Sequence, residues 1–184
     1  METHQYFIVW NHGFKYIKQI SDIIRDHSQI KIQGIVKKKI DNIDNFLNHI
    51  YKLDKSSYTY IQEKSQYLKN IGNDIYIIYV IDTNTEYRYK NKHKYSYIET
   101  YLKWYIRLLF NPKTENRKIN ITKELIDNCI ESEKNWPSIL THNHVIHSSD
   151  IEEETELVKD YFKFNKISYK LNNNNVYFGL KNNK

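Results

Sequence analysis

Two rhythms of apolar and polar positions divide this chain. Residues 5–10, Gln-Tyr-Phe-Ile-Val-Trp, form a short apolar run bounded by Asn11-His12-Gly13, which predicts a buried strand and a turn. Phe14, Ile17, Ile20, Ile23 and Ile24 then recur at helical spacing as far as His27. From Ile30 the stretch IKIQGIVKK returns to near-alternation with β-branched residues, the pattern of a second strand. Asp41 is placed to cap a helix carrying Phe46, Leu47, Ile50 and Tyr51 on one face. A further helix is expected over residues 61–69, stopped by Gly72-Asn73. DIYIIYVID, residues 74–82, is the most apolar segment and is shorter than an average helix, so it reads as a central strand.

The polar stretch TNTEYRYKNKHKYS that follows reads as a loop. Residues 97–110 are helical until Asn111-Pro112 breaks the pattern, and residues 121–132 predict another helix. Asp150, with Glu153 three residues on and a stripe of Leu157, Val158, Tyr161 and Phe162, reads as the cap and capping box of a last helix. ISYKL and VYFGL, separated by Asn172 to Asn175, spell a hairpin. Strands alternating with helices indicate a mixed α/β sandwich. At 184 residues we expect one domain, with a core over about 5–165 and the hairpin over 166–184.

Composition narrows the function classes. Cys129 is the only cysteine, which excludes an intramolecular disulfide and a multi-cysteine zinc site. No apolar run reaches the ~18 residues of a spanning helix and the N-terminus has no leader pattern, so the expectation is a soluble cytoplasmic protein without a membrane partner. The net charge of +6 and pI of 9.1 suit a polyanionic partner. The chain also lacks alanine and is rich in lysine, asparagine, isoleucine and tyrosine, the signature of A+T-rich coding. Charge alone is therefore weak support for a nucleic-acid partner.

Candidate chemistry concentrates in THNHVIHSSDIEEETELVKDYF, residues 141–162, which places His142, His144 and His147 within six positions. A neutral imidazole is a nucleophile near pH 7, and the helix start beyond His147 offers amides to phosphate oxygens. The competing reading is a histidine that hydrogen-bonds a loop. A metal site is not expected: His142 and His144 would share a strand face that His147 does not, and no zinc spacing fits. The acidic run Glu152, Glu153, Glu154 suits the helix dipole. Tyr97, Tyr101, Trp104 and Tyr105 fall at core spacing, although such rings also stack on bases. Arg88, Lys90, Lys92 and Lys94 form either an anion-binding rim or a solvated loop.

His144-Val145-Ile146-His147-Ser148-Ser149-Asp150 and the later Tyr161-Phe162 resemble the active-histidine segment of nucleoside diphosphate kinases, Asn-x-x-His-Gly-Ser-Asp-Ser, and the aromatic end of its acidic helix. YFIVWNHG resembles that family's first strand, and SQYLKNIGNDIYIIYVID its later helix, turn and apolar strand. The resemblance implies an α+β fold with a ferredoxin-like antiparallel sheet covered by helices, and a nucleotide or phosphorylated small molecule as ligand. It implies His147 as phosphoryl acceptor or acid-base group, Ser149 or Glu156 as its orienter, and His12, Arg88, His144 and Asp150 as substrate contacts. Mg²⁺ is expected only alongside a bound nucleotide, and a homo-oligomer is compatible. The departures are as specific. Where the family has Lys-Pro-Asp-Gly this chain has Trp10-Asn11-His12-Gly13, and the family's Thr-Ile-Arg element has no equivalent in residues 96–140. Loss of phosphate-neutralising cations implies slow transfer, an unusual substrate or a catalytically silent module. The nucleic-acid alternative has a direct check: binding should weaken steeply with salt, and absence of binding at low salt removes it.

Overall fold

The two most apolar segments become the inner strands of one sheet. In the computed structural model the described residues are 1–53, 58–110, 120–131 and 144–163, with backbone alone for 168–172 and 175–179. In chain order their elements are β1 (Thr3–Trp10), a 3-10 turn (Asn11–Tyr16), α1 (Ile17–Asp26), β2 (Ile30–Lys39), α2 (Ile43–Ile50), α3 (Tyr58–Ile71) and β3 (Asp74–Asp82). There follow β4 (Tyr87–Lys90), β5 (His93–Ser96), α4 (Tyr97–Leu109), α5 (Lys123–Glu131), β6 (Ile146–Ser148), α6 (Glu152–Tyr161), β7 (Ser168–Asn172) and β8 (Asn175–Gly179).

The sheet runs β2-β3-β1-β6 with every neighbouring pair antiparallel. Without α2, α3, the β4–β5 hairpin and α5, the order β1-α1-β2-β3-α4-β6 is the split βαβ arrangement of a ferredoxin-like core. Helices cover both faces. Tyr6, Ile8, Trp10, Ile75, Ile77 and Tyr79 pack against Phe46 and Leu47 of α2, Leu68 of α3 and Val158 of α6. Phe7, Val9, Ile78 and Val80 pack against Ile20 and Ile24 of α1 and Leu102 and Ile106 of α4. Burial on both sides explains why β1 and β3 read as continuous apolar runs instead of alternating ones. A third cluster joins Trp104, Tyr97 and Leu108 of α4 to Ile126, Cys129 and Ile130 of α5, so these α4 aromatics are core.

Several expectations shift. The polar stretch after β3 is a hairpin: Asn91 and Lys92 take positive φ angles of 48° and 68°, which form a two-residue turn without the glycine that would have signalled it. The α2 cap is Asn42, whose side chain accepts from the Asn45 amide at 2.9 Å, one residue beyond Asp41. Gly72, at φ 112°, ends α3 as its sequence implied. Gly13 is required by proximity, because a Cβ there would stand 2.9 Å from Val9 Cγ1 and 3.1 Å from the Val145 carbonyl. The C-terminal hairpin pairs as expected, Ser168 opposite Gly179. The Asn111-Pro112 break lies outside the described residues, and among those described no helix is long and apolar enough to cross a membrane.

Phe46 joins the α2, α6 and sheet layers, with ring centroids 6.4 Å from Trp10, 4.9 Å from Tyr161 and 5.6 Å from Phe162. Phe46→Ala should cost about 3–5 kcal/mol in urea unfolding. Tyr89→Ala, at a residue 70% exposed, should stay within about 0.5 kcal/mol.

Candidate functional site

His147 is fixed by strand register. β6 has only three residues, and it is held to β1 with His147 opposite Ile8. Two flanking bonds pin it: Trp10 donates its amide to the Val145 carbonyl at 3.0 Å and Ser149 donates to the Tyr6 carbonyl at 3.1 Å. Period-two alternation therefore puts the imidazole on the face of Ile8 and Tyr6. The residue is 8% exposed. Its Nδ1 lies 3.2 Å from the Tyr51 hydroxyl and its Nε2 3.4 Å from the Tyr6 hydroxyl. A neutral imidazole has one N–H and one lone pair, so one tyrosine accepts while the other donates. Burial, then the positive charges of Lys64, Lys103 and Arg107, hold its pKa well below the ordinary histidine range, opposed by Asp150.

Those cations come from two helices. Lys64 of α3, 1% exposed, places its ammonium 4.9 Å from the Trp10 ring centroid, 5.4 Å from that of Tyr51 and 5.9 Å from that of Tyr60. Arg107 of α4 donates Nε–H to the Ile146 carbonyl at 3.0 Å and stacks 4.9 Å from the Trp104 centroid. Burial lowers its pKa, but a guanidinium remains charged, and among the described residues it has no ion-pair partner. Lys103, one turn earlier, donates to Asp150 Oδ1 at 2.9 Å, and His93 of the hairpin meets Asp150 Oδ2 at 2.9 Å. Burial alone would raise the Asp150 pKa; the adjacent Lys103 ammonium and His93 outweigh it and hold the carboxyl well below the usual range.

The sequence-predicted residues distribute unevenly around this centre. Asp150 is close to it, but as an ion-pair partner: α6 starts at Glu152, and the Asp150 amide donates to Glu154 Oε2 at 2.7 Å, so the box closes on Glu154 instead of Glu153. Lys103 and His93, from other elements, claim the carboxylate that sequence spacing assigned to a cap. Ser149 is fully buried and its Oγ is held by Gln5 Oε1 at 2.5 Å and the Tyr6 amide at 3.2 Å, so it ties β1 to the start of α6. Glu156 is exposed and pairs with Lys159 at 2.6 Å, while Tyr51 and Tyr6 hold the imidazole that it was expected to orient. His144 is buried edge-on to Trp104, centroids 6.0 Å apart. His12 packs on Tyr67 at 5.4 Å, and Arg88 is engaged by Glu86 at 2.7 Å and the Tyr97 ring at 3.3 Å. His142 lies outside the described residues, and among those described no group of three or more histidine, cysteine or acidic residues could hold a metal.

The groups that sequence reasoning missed were Tyr6, Tyr51, Lys64, Lys103, Arg107 and Glu99. A signal existed for the last three. Glu99, Lys103 and Arg107 recur at i, i+4 and i+8 within a helix otherwise crowded with apolar residues, and a charged stripe there is exposed or paired. All three are buried. Lys64 likewise falls among Ile61 and Leu68 at helical spacing. Glu99 is 0% exposed, and among the described residues neither carboxylate oxygen makes a hydrogen bond of good geometry. Burial, then the neighbouring Asp82, push its pKa up to about 7, with Ser96 and Lys103 pulling the other way.

No family model matches the chain, and no curated protein does. Solved structures do. A nucleoside diphosphate kinase of Borrelia burgdorferi, a transition-state mimic with bound vanadate and ADP, is 14% identical over 94% of this chain and 94% of its own, with a TM-score of 0.50. The enzyme of Aquifex aeolicus is 11% identical over 88% and 95%, with a TM-score of 0.47. The chain thus has a nucleoside diphosphate kinase-like α+β fold.

Opposed titrations give the site a measurable pH signature. Between the unfolded value of 4.5 and about 7, folded Glu99 keeps a proton that the unfolded chain releases, so its stabilisation is complete below 4.5 and lost as pH rises through 7. The difference is roughly 3 kcal/mol. His147 acts in the other sense: neutral in the fold, it loses stability relative to an unfolded chain that protonates below 6.5. Urea unfolding of Glu99→Gln should therefore lose the decline toward neutral pH and retain the decline toward acid. A pH profile identical to the wild type would mean that Glu99 is ionised throughout.

Proposed function

We propose that the protein binds a phosphate ester, most simply a nucleotide, at the cations around His147. The observation that carries this reading is Arg107: a buried guanidinium with no ion pair among the described residues, beside Lys64 and Lys103, where the carboxylate of Asp150 is already shared by Lys103 and His93. Burying a charge is costly unless an opposite charge compensates it, and an incoming anion supplies that compensation. Charge absent from position 10 is returned from elsewhere, since Lys64 reaches over Trp10 from α3. Among the described residues the buried Trp10 Nε1–H has no hydrogen-bond partner, and it adds a donor beside that ammonium. The Borrelia protein of like fold holds ADP and vanadate, which supports a nucleotide as the ligand class.

Phosphoryl transfer would make a bond from an imidazole nitrogen to the γ-phosphorus while the bridging oxygen leaves with its electron pair on the diphosphate. The neutral form favoured by burial has the lone pair this needs. Both nitrogens, however, face tyrosine hydroxyls, so one must swing away before attack. Binding is therefore the primary activity and transfer through His147 is slow. Among the described residues both Asp150 oxygens are engaged and no cluster of histidine, cysteine or acidic residues could hold a metal, so any Mg²⁺ would have to enter with the nucleotide.

Calorimetry with ADP at low salt tests the site. Arg107→Met and Lys64→Met should each weaken binding on the order of tenfold or more, the worth of a charge-assisted bond, while Lys18→Ala on the exposed face of α1 should change nothing. No detectable ADP binding would sink the reading. With γ-labelled ATP, acid-labile and base-stable label lost in His147→Ala would establish slow transfer; turnover at ordinary kinase rates would refute the tyrosine restraint.

A further inference from the structure

The charged stripe of α4 links the anion site to a second buried cluster one turn away. Glu99, Lys103 and Arg107 follow each other at intervals of four, all buried, so they line one side of the helix. Lys103 and Arg107 serve the His147 end. At the other end Glu99 feels the charge of Asp82 at the close of β3, and both residues are 0% exposed. Asp82 Oδ1 accepts from the Asn84 amide at 2.9 Å, and among the described residues its Oδ2 and both Glu99 oxygens make no hydrogen bond of good geometry, although the Ser96 hydroxyl is near enough to ease the Glu99 charge. The other groups that face this cluster are Tyr87 of β4, which feels Glu99, and His27 beyond α1, which feels Asp82. Two carboxyls in one dry place cannot both be charged cheaply. Lys103 is the cation within reach, and it is already committed to Asp150.

We infer that Glu99 is a proton-sensitive positioning residue for the anion site, acting through Lys103. Carrying its proton, which comes from solvent, Glu99 is neutral and leaves the Lys103 charge to Asp150 and to an anion beside His147. With the proton returned to solvent, the carboxylate cancels part of that charge and competes for the same ammonium. Anion affinity therefore falls as pH rises through neutrality, and by linkage a bound anion draws a proton onto the protein. Burial is the main resistance to ionisation of Glu99, and the neighbouring Asp82 adds to it, so removing the Asp82 charge shifts the midpoint without abolishing the step.

The inference rests on the anion-binding reading, and its test separates the two. Sulfate is the probe, since it remains a dianion from about pH 5.5 to 8.5, and affinity is measured for the full chain across that range. The wild type should lose about five- to tenfold in affinity across neutrality, a typical coupling between sites. Glu99→Gln, which imitates the protonated form, should abolish that step and retain tight binding at high pH. Asp82→Asn should move the step to lower pH, and His93→Gln, altering the other partner of Asp150, should leave a step that Glu99→Gln still removes. Equal pH dependence in wild type and Glu99→Gln overturns the role of Glu99 and leaves the site standing. Sulfate bound at no pH overturns both. If Glu99→Gln does not fold, an unshifted midpoint in Asp82→Asn decides against the inference.

Discussion

The architecture turns on the need to bury charges from α4 at the edge of a sheet. Lys103 and Arg107 lie on a helix whose other residues fill two apolar clusters, so their charged ends cannot retreat to bulk water. Arg107 solves part of the problem by donating to Ile146, whose carbonyl points away from β1 on the open side of β6. That contact also covers an edge strand of three residues, which pairs with the sheet on one side only. Lys103 solves another part with Asp150. Because Asp150 is further held by His93 and accepts from the Ser96 amide through its carbonyl at 2.7 Å, one ion pair joins α4, the β4–β5 hairpin and the approach to α6.

His147 inherits its properties from that arrangement. A slip of one residue between β6 and β1 would move the imidazole to the opposite face and present Ile146 or Ser148 to the tyrosines. The flanking bonds from Trp10 to Val145 and from Ser149 to Tyr6 prevent the slip. Burial and three cations then favour the neutral ring, and two hydroxyls restrain it. A neutral imidazole inside a positive field is suited to meeting an anion, and less suited to rapid turnover while its nitrogens are occupied.

The acidic run after the candidate histidine is architectural. Glu154 accepts from the Asp150 amide, Glu152 accepts from the His4 amide at 2.9 Å, and Glu156 pairs with Lys159 in solvent. Ser149 belongs with them: four polar groups from β1 and α6 converge on its buried hydroxyl and amide. Hydroxyls and carboxylates beside a candidate histidine invite a mechanistic role, but here the backbone amides at strand and helix ends claim them first.

The sequence by itself determined three of the four strands of the sheet and most helices, because burial periodicity is a local property: residues 74–82 and 5–10 are apolar in a way that only a two-sided strand requires, whereas β6, with three residues, is too short to show a period. It also singled out His147, through a motif whose spacing survives in the chain. It could not reveal the hairpin at 87–96, whose turn uses Asn-Lys at positive φ. Nor could it say which lysines and which carboxylates meet. Lys64 and Trp10 are 54 positions apart in the chain, Lys103 and Asp150 are 47 apart, and Arg107 reaches β6 only because α4 crosses behind it. Opposite charges attract at any separation in sequence, so their partners are chosen by the packing of helices on the sheet, and the site came into view only when the tertiary structure had made that choice.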